Sequence, residues 1–131
     1  MRRKDVKMLL SYDEEEIGSC MTTNYICIPE ELTIKQAMSE LVKQAGENDN
    51  IMTIYVVDEK GVFAGAIDLK DLIRARENDH LEDLVLKSYP YVTDHEKIDD
   101  CMDRILDYAE DSIPVLSEDK RILGVHHIRK T

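Results

Sequence analysis

The chain has no tryptophan and one phenylalanine among its 131 residues, so any core must rest on Ile, Leu, Val, Met and Tyr. The apolar share of 43% suffices for one, and the length is one domain's worth of chain. No apolar run approaches the roughly 20 residues a membrane-spanning helix needs. The basic start Met1-Arg2-Arg3-Lys4 is not followed by an apolar stretch of signal-peptide length. Cysteines are few and odd in number: Cys20, Cys27 and Cys101 lack metal-site spacing and read as reduced thiols of a cytosolic protein. Two of them fall at apolar-pattern positions, where burial is expected before reactivity. Positive charge is scarce, with 17 Lys and Arg against 28 Asp and Glu and a net charge of -11. That balance argues against nucleic acid and anionic membrane surfaces, whose phosphates demand Lys and Arg. It suits cationic partners, divalent metals included, and equally an acidic surface that only keeps a protein soluble. Also lacking are a nucleophile–base arrangement, a Walker-type phosphate loop and a zinc signature, so an enzyme is not expected.

What the chain does have is a repeat. Residues 17–41 and 81–105 align without a gap at an offset of 64, placing Tyr25 on Tyr89, Ile34 on Ile98 and Met38 on Met102. Further on, Ile54-Tyr55-Val56-Val57 matches Ile113-Pro114-Val115-Leu116 at an offset of 59, and Gly65 falls on Gly124. Two copies of roughly fifty residues are too few for a solenoid and suit a pseudo-two-fold pair in one compact unit.

Each copy reads in the same order. Asp5 to Glu16 looks helical, with Ser11 and Glu14 at capping-box spacing. Cys27-Ile28 is a short apolar run ended by Pro29. Thr33 opens a helix with Gln36 at the capping-box position, and Ile34, Ala37, Met38, Leu41, Val42 and Ala45 lie on one face. Met52 to Val57 is a β-branched run that fits a buried strand. Asp58-Glu59-Lys60-Gly61 turns it into a second strand over Val62 to Ile67, and Asp68 to Ile73 opens another helix. In copy two, Leu81 to Leu86 reads as a short helix and Tyr91-Val92-Thr93 as a strand. Ile98, Cys101, Met102, Ile105 and Ala109 line the main helix, and Ser112 to Leu116 with Arg121 to Val125 form a second hairpin. Copy two then ends at Ile128-Arg129-Lys130-Thr131, before a final helix.

This twice-used β-α-β-β-α unit resembles the tandem CBS domain pair, or Bateman module. The residues that carry the likeness are Ile54-Tyr55-Val56-Val57-Asp58 with Gly65-Ala66-Ile67-Asp68-Leu69-Lys70-Asp71-Leu72, and Ile113-Pro114-Val115-Leu116 with Ile122-Leu123-Gly124-Val125. Leu9 to Thr23, with its leucine pair, aromatic, acidic stretch, glycine and Met-Thr, is similar to the junction into the CBS pair of MgtE-type magnesium transporters. The resemblance implies an α/β (α+β) fold. It divides the chain into a helical lead-in over 1–16, CBS motif 1 over 17–79 and CBS motif 2 over 80–131, the second lacking its final helix. It further implies a regulatory, non-enzymatic module on the cytoplasmic side of the membrane. Such a module dimerises through its CBS helices and works with the N-terminal helical and transmembrane domains of a parent transporter.

In that family the CBS pair senses Mg²⁺ at acidic interfaces, and high Mg²⁺ neutralises their repulsion and shuts the pore. Mg²⁺ is hard, prefers oxygen ligands and keeps much of its water, so such sites are shared and weak. Carried onto this chain, the acidic position near the start of the copy-two helix is Asp99, with Asp100 beside it and Asp103 and Asp107 further along. The later acidic position falls on Ala109, with Glu110 and Asp111 next. The family's acidic pair after the copy-two Gly-Val strand falls on 127–130, where no carboxylate stands. Asp99, Asp103 and Asp107 at i, i+4 spacing read equally as a solvated helix face. The second implied ligand is an adenine nucleotide, ATP or AMP, which CBS pairs bind in clefts between the copies. Asp71 would hold the ribose, Lys70 would meet phosphate, and Thr53 and Ile54 would border adenine. Asp68 stands where a Ser or Thr is usual and would repel phosphate. Asp68 and Asp71 also suit plain N-cap and N3 positions. In copy two the matching residues are His127 and Lys130, so at most one cleft is complete. His126 and His127 invite a transition-metal reading, but adjacent residues on a strand point to opposite faces and rarely chelate one ion. His80 and His95 lie in polar breaks and suggest nothing specific.

Overall fold

Thr33 starts the longest helix as the sequence expects. Its hydroxyl accepts the Gln36 amide at 3.1 Å while the Gln36 side chain accepts the Thr33 amide at 3.0 Å, a complete capping box. The computed structural model describes residues 12–48, 51–106 and 112–128. The strands are β1 (Ile26–Pro29), β2 (Thr53–Val57), β3 (Phe63–Asp68), β4 (Val92–Thr93), β5 (Ser112–Leu116) and β6 (Ile122–His127). The helices are α1 (Ile34–Ala45), α2 (Leu69–Arg74) and α3 (Ile98–Leu106), with single 3-10 turns at Ile17–Cys20 and Leu81–Leu84. The chain divides into two compact units: Asn24–Tyr89, and Met1–Thr23 together with Pro90–Thr131.

In the unit 24–89, β1 runs parallel to β2 through the α1 crossover and β2 antiparallel to β3. β2 lies in the middle of the sheet, and its first four residues are buried on both faces. One face carries Ile54 and Val56, which join Ile26, Ile28, Ile67, Leu72, Leu81 and the α1 residues Ile34, Ala37 and Leu41 in a core. Tyr55 points the other way and gathers Tyr25, Phe63 and Tyr89, with ring centroids 6.0, 6.4 and 5.9 Å away. Four of the chain's seven Tyr and Phe residues thus meet in one cluster. The free edge of β1 is closed by a side chain: Gln44 Nε2 donates to the Cys27 carbonyl at 2.9 Å, and its Oε1 accepts the Cys27 amide at 3.1 Å.

The other unit repeats this plan. β4 runs parallel to β5, which pairs antiparallel with β6, and Ile17, Met21, Val92, Cys101, Ile105, Ile113 and Val115 form its core. Pro114 is tolerated in the middle strand because β4 pairs only with Val115 and Leu116, which leaves Pro114 outside that ladder.

Repeat copies and compact units are out of step. Ile17 and Met21, which open copy one, pack in the core of the β4–β6 sheet, and Thr22 bridges to Val125 on β6. Leu81, which opens copy two, packs in the β1–β3 core, and Leu86 bridges to Ala66 on β3. Each lead-in covers the exposed edge of a hairpin from the other copy, which protects that edge from stray pairing. The close approach explains two glycines. A Cβ on Gly65 would lie 2.4 Å from the Leu86 carbonyl oxygen, and one on Gly124 would lie 2.8 Å from that of Thr22. Gly65 also has φ of 147°, which disfavours any side chain.

Three local expectations differ from the structure. The helix expected over Asp5–Glu16 lies outside the described residues as far as Ser11. Tyr12–Glu16 form a turn instead, in which Glu16 and Asp13 bond each other's amides through Asp13 O and Glu16 Oε1. Val42, expected on the buried face of α1, is 69% exposed, because Ile34, Ala37 and Leu41 already fill the narrow stripe against the sheet. Met102 is likewise exposed, whereas Cys101 and Ile105 on the same helix are buried.

Candidate functional site

The start of α3 carries the densest described carboxylate surface among the residues expected to bind metal. Asp99 and Asp100 occupy its first turn, where the helix dipole favours negative charge. They line a shallow groove of about 380 Å³ with Glu14, Glu15, Lys97 and Ile98. The opposite wall is held by the Ile98 amide, which donates to the Glu15 carbonyl at 2.8 Å, and by the backbone bridge between Glu16 and Lys97. Lys97 Nζ stands 3.8 Å from Glu15 Oε2 as the one cation of the lining. Asp103 lies one turn further along α3, exposed. Asp107 and Glu110 lie outside the described residues. Among the described residues no three His, Cys, Asp or Glu side chains close on a common point as a metal cage. The groove therefore offers hard oxygen donors in a wet setting, which matches an ion that retains its water shell rather than a dehydrated one.

The residues expected to meet nucleotide gather where β2 begins and β3 ends. Thr53 pairs with Asp68 and Ile54 with Ile67, so the four sit side by side on the ladder. Thr53 is nearly buried and Ile54 wholly so. Asp68 caps α2, accepting the Lys70 amide at 3.1 Å, and the Leu69 amide donates to the Met52 carbonyl at 2.9 Å. Lys70 and Asp71 project from the first turn, exposed. The equivalent ladder position in the other unit pairs Ser112 with His127. There an imidazole stands where Asp68 stands in copy one. His126, on the neighbouring position of β6, is half-buried, and burial lowers its pKa. His127 is exposed, so the two do face apart.

A third constellation went unread in the sequence. His95 Nδ1 lies 2.7 Å from Glu16 Oε2, and its Nε2 lies 3.5 Å from Asp94 Oδ2. The Tyr12 hydroxyl donates to that same Asp94 oxygen at 2.9 Å, and its ring centroid is 5.2 Å from that of His95. Asp94 is buried, its carbonyl accepts the Gly18 amide at 2.9 Å, and its Oδ1 finds no partner among the described residues. The Glu16 carboxylate holds the His95 pKa up, with the Asp94, Glu16 and Glu118 charges adding to the effect. The Asp13 amide and then His95 hold Glu16 down. Burial, followed by the Asp94 hydrogen bond, pushes the Tyr12 phenol up to about 12. The partners are up to 82 residues apart in sequence, so no local pattern announces them. The only available signal was an unpaired histidine beside an aspartate at a strand end.

Comparison with known proteins follows the sequence repeat. The CBS domain family matches residues 15–78 and again 81–125. The magnesium transporter MgtE of Thermus thermophilus is 33% identical over 126 residues, covering 94% of this chain and 27% of that protein. This chain thus spans about a quarter of the length of that relative. Among solved structures, the soluble part of a magnesium transporter superposes with a TM-score of 0.87 at 31% identity, over 94% of this chain and 48% of that one. The cytosolic domain of the Mg²⁺ channel MgtE in complex with ATP gives 0.88 at 30% identity, over 96% and 51%. Two sheets of matching strand order, two hairpins that each carry a glycine beneath a lead-in, and a family match that covers both copies lead to one conclusion: this chain belongs to the CBS domain family, as a tandem pair.

Proposed function

We propose that this chain is the Mg²⁺-sensing regulatory module of a magnesium transporter, acting on the cytoplasmic side of the membrane and without catalysis of its own. The observation that carries the reading is the groove in which Glu14, Glu15, Asp99 and Asp100 face one lysine. Four carboxylates repel one another, and a hydrated divalent cation relieves that repulsion without a rigid cage. Asp103 extends the acidic face, and Asp107 and Glu110 complete the proposed set. The likeness to MgtE over nearly the whole chain supports the transporter context. The proposed partners are the helical and membrane domains of that parent protein and a second copy of this chain, met through the CBS helices. Val42 on α1 and Ile73 on α2, both largely exposed, support the latter. The proposed domain division remains 1–16, 17–79 and 80–131. The test is thermal unfolding with and without millimolar Mg²⁺, because a ligand that prefers the folded state raises its melting temperature. A rise with Mg²⁺ that is absent with equal ionic strength of NaCl supports the reading; no rise sinks it.

The runner-up ligand is an adenine nucleotide at Thr53, Ile54, Asp68, Lys70 and Asp71. It is favoured by the exposed Asp71 and Lys70 at the start of α2 and by the ATP bound in the 30% identical MgtE domain. Stabilisation by ATP or AMP, lost in Asp71→Ala, would favour it over Mg²⁺.

A further inference from the structure

The segment Tyr12–Met21 reaches its place against the β4 end of its sheet through a small set of ties. The Ile17 amide donates to Glu96 O at 2.8 Å and the Gly18 amide to Asp94 O at 2.9 Å. Beside them stand the side chains of Tyr12 and Glu16 from the segment, and of Asp94 and His95 from the turn that follows β4. We propose that His95 is a proton-operated latch on this segment, gripping Glu16 and Asp94 together while its ring is protonated and loosening the segment when the proton leaves.

The geometry supplies the mechanism. Protonated His95 donates from Nδ1 to Glu16 at 2.7 Å and presents Nε2 to Asp94 at 3.5 Å, so one cation joins a carboxylate of the segment to a carboxylate of the sheet. The groups facing it are otherwise acidic or neutral. Glu118 comes from the β5–β6 turn, the Tyr12 phenol lies across the ring, and the nearest cation, Lys97, acts on Glu16 rather than on His95. After deprotonation the Glu16 bond persists in neutral form. Asp94, whose buried Oδ1 already lacks a partner among the described residues, then keeps only the Tyr12 hydroxyl on Oδ2, and Glu16, Asp94 and Glu118 lose their shared counter-charge.

The direction follows from linkage. The His95 pKa is raised in the folded state, so its stabilisation is full below the ordinary value of 6.5 and fades as pH climbs through the folded value. Docking of the segment therefore weakens into the alkaline range through His95.

The experiment is amide hydrogen exchange of the full 131-residue chain at pH 6 and pH 8.5, corrected for the intrinsic rates, with the Val56 amide as internal reference. Protection of Gly18 and Ile17 relative to Val56 should fall roughly two- to fivefold at the higher pH, the span of an exposed ion pair. In His95→Gln, which cannot titrate, the fall should vanish. Unchanged relative protection in the wild type, or an equal fall in His95→Gln, overturns the latch. Should His95→Gln not fold, Glu16→Gln serves with the same readout. It should shrink the fall and lower the His95 titration midpoint seen by NMR, and a wild-type fall and midpoint in that variant overturn the latch. None of these readouts involves Mg²⁺, so the latch stands or falls apart from the sensor reading.

Discussion

Thr22 and Val125 exchange two backbone hydrogen bonds of 2.9 Å each, and Leu86 and Ala66, at the matching positions of the repeat, do the same at 2.8 and 3.4 Å. The duplication therefore preserves a swapped strap on each hairpin, and the two glycines beneath the straps are its fingerprint. Gly65→Ala should destabilise by about 2–4 kcal/mol, combining a backbone clash with a strained φ. Gly124→Ala should cost less, about 1–3 kcal/mol, because part of its crowding comes from the adaptable Met21 side chain. Urea unfolding of both variants checks the order as well as the size.

Gln44 closes the β1 edge through both halves of its amide. Gln44→Leu keeps the size of the side chain and strips both bonds, so about 1–3 kcal/mol of stability should go. Gln44→Glu should lose as much or more, because its carboxylate meets the Cys27 carbonyl and the nearby Glu40. A melting curve within a degree of the wild type for either variant would remove the clamp from the account.

For the Mg²⁺ groove, ten times the dissociation constant should add about 1.4 kcal/mol, or roughly 3–6 °C. Replacing Asp99 and Asp100 together by Asn should remove more than half of that gain. Without Mg²⁺ the same change should move the melting temperature little, since relieved repulsion offsets the lost interaction with the helix dipole. Calorimetry with a NaCl control separates the Mg²⁺ effect from that of ionic strength.

Burial and the Asp94 hydrogen bond raise the Tyr12 phenol to about 12. Because its folded value exceeds the unfolded 10.0, its contribution is complete below pH 10 and is lost between there and about 12. Ultraviolet titration should show a late ionisation near pH 12, and Tyr12→Phe should reduce its amplitude by one tyrosine. The same variant leaves the buried Asp94 oxygen unpartnered and should cost about 1–3 kcal/mol.

The three thiols should differ in reactivity. Cys20 is exposed, Cys101 is buried, and burial pushes Cys27 up to about 11. A thiol reagent at pH 8 should therefore modify one cysteine quickly and the others only on unfolding. Cys20→Ser should abolish the fast phase; survival of that phase would show that another thiol opens to solvent.

Much of the fold was legible because repetition and periodicity are local. The two offsets found the hairpins, and the ladder pairs Thr53–Asp68 and Ser112–His127 keep the offset of 59. The capping box at Thr33 was readable for the same reason. The exchange of lead-ins was not legible: Ile17 lies at the same place in its copy as Leu81 does in the other, and apolar pattern alone does not say which sheet receives it. Val42 misled because apolar periodicity reports what a helix is able to bury, not how wide a face the sheet covers. Of the expected metal residues, Asp99 and Asp100 share a groove with Glu14 and Glu15, two acidic residues read as part of a helix and of the junction but not as metal ligands. His95 escaped because its partner Glu16 is 79 residues away.

The out-of-step units also set an order of assembly. Asn24–Tyr89 is one continuous stretch and holds every partner of its core by the time it leaves a ribosome. Ile17 and Met21, synthesised earlier, must wait for β5 and β6, about a hundred residues later, or roughly 5–20 s at ordinary elongation rates. Two apolar residues made before either sheet are thus covered only when the second sheet forms.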